Sequence, residues 1–213
     1  MDNVIKLDIQ PDAAQVKHWG DTYKGLVKHK EFNQALANAV NRALTHGKTR
    51  FKEEIAKRYA IKSSYVLSMM RVRNAYADNP SGEIIFSSAR LALTKFNVKP
   101  DPSKKMPSQK GQSWTSRKRP TIEVVRGQQY TSGSAFIAKM KSGHIGVYSR
   151  NVEKQAKSRP GNLTKHTQRI EERTGSSIVT MAAKEEIREG AWSSVSVELF
   201  KRIDHEMKRL AYK

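Results

Sequence analysis

The stretch from Glu31 to Tyr59, EFNQALANAVNRALTHGKTRFKEEIAKRY, decides the fold of this chain. Apolar or small residues recur in it every three to four positions, which is the spacing of one face of an α-helix. The residues that define this face are Phe32, Leu36, Ala39, Val40, Ala43, Gly47, Phe51, Ile55 and Tyr59. At 1.5 Å per residue, the stretch predicts a single amphipathic helix of roughly 43 Å.

The residues before this helix predict a strand and a shorter helix. Val4 to Ile9 alternates apolar and charged side chains, as a half-buried strand does. Pro11 stands where a helix begins, and a modest helix to about Leu26 follows. We expect residues 1–30 to form an N-terminal element ahead of a single domain over residues 31–213.

After the long helix, the chain is expected to pass through a short helix into strands. Ala60 breaks the helical pattern, and a short second helix would turn four side chains to the core: Tyr65, Val66, Met69 and Met70. Asn79 to Gly82 predicts a turn, and the strand Glu83 to Ser88 follows it. Ala89 to Phe96 is expected to continue the same sheet.

Two hairpins and a last helix complete the chain. Thr121 to Arg126 alternates β-branched and polar residues, which predicts the return strand of a long hairpin. Ala135 to Tyr148 predicts a second, tighter hairpin, with Gly143 available for a positive φ. Apolar residues at i and i+4 from about Ala182 to Leu210 predict a long C-terminal helix. This order predicts an α+β fold, a mainly antiparallel sheet packed against long N-terminal and C-terminal helices, with extended basic loops.

Composition points to acidic partners. The 213 residues include 40 Lys and Arg against 20 Asp and Glu, a formal charge of +20. Such an imbalance favours binding to polyanions or to acidic protein surfaces. The chain has no cysteine, which excludes disulfides and thiolate metal sites. Its apolar runs are short, so the sequence indicates neither secretion nor a membrane span.

The first arm, defined as residues 97–120, carries seven Lys and Arg against the single acid Asp101. Met106 and Trp114 are its only large apolar groups apart from Val98, too few to offset the cost of ordering the backbone. We expect it to become ordered against an acidic partner, and the alternative is a solvated loop. Trp114 could stack on a base, fill a partner's apolar pocket or anchor its own loop. The candidate binding residues are Lys99, Lys104, Lys105, Lys110, Trp114, Arg117, Lys118 and Arg119.

The second arm, defined as residues 150–173, is also basic, with seven Lys and Arg against three Glu. Its candidate residues are Arg150, Lys154, Lys157, Arg159 and Lys165. Further cations follow the first helices: Arg42, Lys48, Arg50, Lys52, Lys57, Arg58, Lys62, Arg71 and Arg73. Together they predict a surface for a polyanion.

Catalytic motifs are incomplete. Gly47-Lys48-Thr49 lacks the earlier glycine of a phosphate-binding loop, and His205-Glu206 lacks the second histidine of a zinc-protease helix. Asp101 and Glu123 faintly resemble a two-carboxylate nuclease pair, but Val125 stands where the lysine is expected. We therefore expect no enzyme activity, no cofactor and no metal, and keep a metal-dependent nuclease as a weak alternative.

The order of motifs resembles the minor tail protein Z family of long-tailed bacteriophages. The resemblance covers most of residues 30–213, and its most specific part is the hairpin from Ala135 to Arg150. The segments that carry it are Ala37–Leu44, Tyr59–Lys62, Arg73–Ala75, Asn79–Pro80, Ser134–Arg150 and the basic C-terminal helix.

The resemblance implies a structural, non-enzymatic protein at the head-proximal end of the tail tube, in the virion neck, that completes the tail for head joining. It implies a homo-hexameric ring, assembled in the host cytoplasm, whose strand edges and arms can pair with neighbouring subunits. The implied partners are the tail tube, tail terminator and portal or connector proteins, with non-specific contact to genomic DNA possible and no membrane. The alternative is a free nucleic-acid-binding protein that uses the same charge without sequence preference.

Overall fold

The computed structural model of the chain describes residues 5–22, 28–101, 114–115, 118–155 and 168–212. Its elements, in chain order, are β1 (Ile5–Ile9), α1 (Ala13–Thr22), α2 (His29–Arg58), α3 (Ser63–Ser68), β2 (Met70–Arg73), β3 (Gly82–Phe86), β4 (Arg90–Ala92), a 3-10 turn (Leu93–Lys95), β5 (Asn97–Lys99), β6 (Trp114–Thr115), β7 (Thr121–Glu123), β8 (Gln129–Thr131), β9 (Ala135–Lys139), β10 (Ile145–Gln155), β11 (Gln168–Glu172), β12 (Thr174–Ser177), α4 (Ile178–Ala182) and α5 (Glu185–Ala211).

Contacts along the chain separate two units that interleave in sequence. Unit 1 comprises Met1–Ile55, Ser63–Ala89 and Ile178–Lys213, and unit 2 comprises Ala56–Lys62 and Arg90–Ser177. The expected division, an N-terminal element over residues 1–30 and one domain over 31–213, stays a prediction. Contact density describes packing and does not test which segments fold together.

The core of unit 1 forms around α2. This helix approaches both β3 and α5 so closely that a Cβ on Gly47 would lie 2.9 Å from Ile84 and 3.0 Å from Val195. Phe51 of α2 meets Phe86 of β3 edge to face, with ring centres 5.1 Å apart. Other fully buried side chains of this core include Ile9, Leu36, Leu44, Ile55, Ile84, Ile178, Met181 and Ile203. The apolar periodicity of the sequence is thus the inward face of the helix.

The predicted helices and first strand of unit 1 are confirmed. α2 runs for 30 residues, about 45 Å at helical rise, and α5 runs for 27 residues along the predicted C-terminal stripe. β1 pairs with β3, and α1 begins at Ala13. The predicted end of α1 near Leu26 lies outside the described residues.

Two expectations about the middle of the chain are wrong. Met70 belongs to strand β2, which pairs with β3, and not to the short helix α3. The segment Ala89 to Phe96 does not continue that sheet, because β4 pairs with β12 of unit 2 and a 3-10 turn follows it. Leu91, Leu93 and Phe96 are buried, but a local sequence pattern does not specify which strand pairs with this segment.

Unit 2 is built from small antiparallel sheets. Strands β5, β7 and β8 form one sheet, β11, β10, β9 and β6 form a second, and β12 and β4 form a third. The predicted tight hairpin is confirmed, because β9 and β10 pair around Gly143, whose φ is +87°. Throughout the described ranges the strand pairs are antiparallel, and the α+β fold class is confirmed.

Replacing Gly82 by alanine tests the packing of unit 1. The added Cβ would lie 2.5 Å from Leu44 Cδ1 and 2.9 Å from the backbone oxygen of Arg73. We expect Gly82→Ala to lower the free energy of unfolding by about 1–3 kcal/mol, measured by urea denaturation. The control Gly20→Ala adds its methyl in helix α1 with nothing within 4 Å, and should be neutral or stabilise by up to about 1 kcal/mol. Equal effects of the two changes would contradict this account.

Candidate functional site: the basic arms of unit 2

The positive charge of the chain is concentrated in unit 2. This unit holds 22 Lys and Arg against five Asp and Glu, a net charge of +17. Unit 1 holds the other 18 Lys and Arg against 15 acids, a net charge of +3. Acidic partners are therefore attracted to unit 2, which carries both arms.

The first arm leaves unit 2 from a paired stem. β5 and β7 are antiparallel, with Lys99 opposite Thr121, so the two ends of the arm are held side by side. Val98 and Ile122 anchor the stem in the core of the unit. The predicted long hairpin is confirmed at this stem, and Lys99, Lys118 and Arg119 are exposed beside it.

The carboxylate of Glu123 stabilises the end of this stem by hydrogen bonds. This carboxylate accepts hydrogen bonds from the Gly127 backbone N–H at 2.9 Å, from Asn97 at 2.6 Å and from Gln129 at 3.3 Å. The Gly127 N–H, followed by the Asn97 amide, lowers the pKa of Glu123 below its usual value. The carboxylate is thus occupied by donors of its own unit, which argues for a structural role over metal binding.

Part of the first arm pairs with the same chain. Trp114 and Thr115 form strand β6, whose backbone lies opposite Lys139 and Ala138 of β9. The expectation that the whole arm stays unstructured without a partner is therefore wrong at these two residues, and also at Asn97–Lys99, which form β5 of the stem. The edge of β9 supplies backbone partners that the composition of the arm does not reveal. Lys104, Lys105, Lys110 and Arg117 lie outside the described residues.

The second arm leaves unit 2 from the hairpin of β10 and β11. Arg150 pairs opposite Ile170, and its guanidinium carbon lies 5.5 Å from the centre of the Phe136 ring. Arg150 is half-buried, and its contact with the Phe136 ring stabilises the stem. Lys154 lies in β10, whereas Lys157, Arg159 and Lys165 lie outside the described residues.

Acidic side chains also hold the root of the second arm. Glu172 accepts a hydrogen bond from His144, whose Nε2 lies 3.0 Å from both carboxylate oxygens. Glu171 accepts one from Asn151 at 3.2 Å. Burial, with the Glu172 charge as a second cause, raises the pKa of Tyr148. Two of the few acids of unit 2 are therefore used to fix this stem.

The fold brings the two arms to one sheet. β6 of the first arm and β11 of the second are the outer strands of the order β11, β10, β9, β6. Three strand spacings separate them, about 14 Å. Sequence reasoning treated the arms as separate insertions and missed this arrangement, because the pairing of β6 with β9 is not signalled by either segment alone.

The cations predicted along the first helices divide between the two units. Lys57, Arg58 and Lys62 belong to unit 2, and the other six belong to unit 1. In unit 1, Arg50 lies 3.0 Å from Glu53, and Arg73 lies 3.4 Å from Glu83. These nearby acids partly neutralise that part of the basic stripe, in agreement with the low net charge of the unit.

The described residues include one hydrogen bond between a histidine and a hydroxyl group, in which His46 Nε2 lies 2.9 Å from Ser194 Oγ. Within those ranges, no three His, Cys, Asp or Glu side chains converge into a metal-ion site. A polar groove of about 680 Å³ runs between α2 and α5. Its acids Glu198 and Glu206 each bond an arginine of their own helix at 2.7 Å. Burial opposes ionisation of Glu198, but Arg202 and nearby cations outweigh it and lower its pKa.

No helix among the described residues has the length and apolar character required to cross a bilayer.

Glu123→Gln tests whether the carboxylate of Glu123 stabilises the first stem. The pKa of Glu123 is lower in the folded chain than in the unfolded one, so its ionised form stabilises the fold above the unfolded pKa. That contribution is lost as the pH falls through the lowered pKa. We expect the variant to unfold at lower urea than the wild type at neutral pH, and the difference to shrink as the pH falls through the lowered pKa of Glu123. The control Asp78→Asn, an exposed acid of unit 1, should show no such pattern. A difference that persists at low pH would contradict the role of the carboxylate.

Comparison with known proteins identifies the family. Residues 24–213 match the family of the prophage minor tail protein Z (GPZ). No match was found among curated proteins or among solved structures. Because the match extends over most of the sequence, this chain belongs to the prophage minor tail protein Z family, whose members are structural proteins of the phage tail.

Proposed function

We propose that this tail protein completes the head-proximal end of the tail tube, in the neck of the virion, and makes the tail competent to join the head. Its role is structural and involves no catalysis, and assembly takes place in the host cytoplasm. The observation that carries the proposal is the net charge of +17 in unit 2, which holds two basic arms that each contribute a strand to one sheet. Such a surface suits a protein that must hold acidic neighbours in place.

The protein acts as a homo-hexameric ring in this proposal. Closed rings are a common way to build symmetric oligomers, and they present each arm six times around one axis. Six copies at +20 each would bring about +120 to the end of the tail, near the channel that carries DNA.

The arms contact acidic faces of the tail tube, tail terminator and portal or connector proteins. Exposed strands β8 and β11 at the sheet edges offer backbone partners in addition to charge. Phosphates of the genomic DNA are a second target for the same cations, and contact with them would be independent of sequence.

A free nucleic-acid-binding protein is the alternative that the charge of unit 2 also supports. It would bind DNA with a steep salt dependence and without tail proteins. In that case the protein would be absent from purified virions, and its loss would leave joined particles intact. Location of the chain in images of the virion neck separates the two functions.

Shortening the first arm tests the proposal. Lys99 and Thr121 already face each other across the stem, so an Asn-Gly turn in place of residues 101–119 can close it. We expect the variant to fold, with cooperative thermal unfolding retained, but to leave tails unattached to heads, as counted by electron microscopy of lysates. Joined particles at the wild-type frequency would contradict the proposal. Loss of folding in the isolated chain would show that the arm is part of the core.

Two variants that remove the same positive charge separate the effect of the charge of the first arm from the effect of its length. Lys104, Lys105 and Lys110 are changed together to glutamine in the first arm. The control makes the same change at three exposed lysines of unit 1, Lys28, Lys30 and Lys184. Only the arm variant should reduce head joining, since each set removes the same charge and only one lies in the proposed binding surface.

A further inference from the structure

The N-terminal half of α5 exposes apolar side chains that the core of unit 1 does not use. Residues Gly190 to Val197 include no charged group, although 28% of the chain is charged. Trp192, Val197 and Phe200 keep 40%, 69% and 44% of their surface exposed. Trp19 of α1 meets Phe200 edge to face, with ring centres 6.3 Å apart. We call these four residues the aromatic face.

The aromatic face lies apart from both the buried stripe of α5 and its polar groove. The buried stripe includes Ala191, Val195 and Leu199. At 100° per residue, Trp192 lies beside this stripe, Val197 lies on the side of the helix opposite the stripe, and Phe200 lies between the two. Glu198 and Arg202, which line the polar groove, lie on its other side. The face is thus a separate surface of the helix.

A half-apolar pocket lies elsewhere on unit 1. It has a volume of about 460 Å³, and its lining includes Met69, Ile85, Phe86, Ala89 and Arg71. This exceeds the about 150 Å³ that holds a benzene ring. Arg71 is exposed and has no hydrogen bond or ion pair among the described residues, and a guanidinium group binds aromatic faces. We call this pocket the socket.

Charge favours a second copy of the chain as the occupant. Acidic partners are attracted to unit 2, at +17, whereas the aromatic face and the socket both lie on unit 1, at +3. Two copies of the chain carry charge of the same sign and repel each other, and this repulsion is weakest between units whose net charge is small. The rim of the aromatic face has both signs, with Glu189 and Lys17 exposed near it, so it suits a surface of the same composition.

Ring symmetry requires two different surfaces. A contact that uses the same patch on both copies closes a dimer, whereas a ring needs one patch to bind a different patch on the next copy. We propose that the aromatic face of one copy inserts into the socket of the next, and that this contact closes the ring. The inference rests on the proposed ring, and it leaves the arms of unit 2 available for acidic neighbours.

Sedimentation of the full chain tests the contact. We expect the wild type to form oligomers that persist at raised salt, since apolar contacts are not screened. Val197→Glu on the face and Ile85→Glu in the socket should each raise the concentration needed for association by about tenfold or more. Ile85 pairs opposite Arg71, which can accommodate the new carboxylate. Ala89→Glu, at an exposed position, is a second socket variant if Ile85→Glu fails to fold.

Mixing the two variants gives the decisive result. Each retains one intact surface, so an equimolar mixture should form dimers of one copy of each and assemble no further. His205→Glu, an exposed position on another side of α5, is the matched control and should assemble as the wild type does. Shortening the first arm should also leave the oligomer intact.

Several outcomes would overturn the inference. They are a wild type that stays monomeric, a Val197→Glu variant that assembles normally, a mixture that forms no dimers, or an oligomer that dissociates when the first arm is shortened. The proposed function fails on a different observation, which is normal joined particles without this protein. The two failures can therefore be told apart.

Discussion

Strand pairing at the roots of the two arms holds unit 2 together against its own charge. A net charge of +17 opposes compaction. Among the five acids of the unit, Glu123 fixes the first stem, and Glu171 and Glu172 fix the second. The scarce negative charge is thus placed where the backbone must be held.

The two units differ in net charge and in the packing that stabilises them. Unit 1 buries the apolar face of α2 against β3 and α5, as at Gly47, and its charges nearly balance. Unit 2 is built from short sheets and carries most of the excess positive charge of the chain. In the proposed ring, this arrangement would place contacts between like subunits on unit 1 and contacts with acidic neighbours on unit 2. Neither kind of contact then has to be weakened to allow the other.

The sequence predicted those elements whose signal is local and repeated. The stripes of α2 and α5 continue over many turns, and Gly143 marks the turn of the tight hairpin. β2 was missed because Met69 and Met70 fit the end of a helix as well as the start of a strand. The pairing of β4 with β12 joins segments over 80 residues apart, and no local pattern encodes it. The concentration of charge was hidden for the same reason, since the two units interleave along the chain.

The stem of the first arm separates the length of the arm from the stability of the fold. Lys99 and Thr121 are neighbours across two strands, about one strand spacing apart whatever lies between them. Insertions or deletions beyond this point that leave Trp114 and Thr115 paired with β9 add only the slowly growing cost of closing a loop. Related phages could therefore vary this segment to match different neighbours, and a fluorescent or affinity tag could be grafted there while the body remains unchanged.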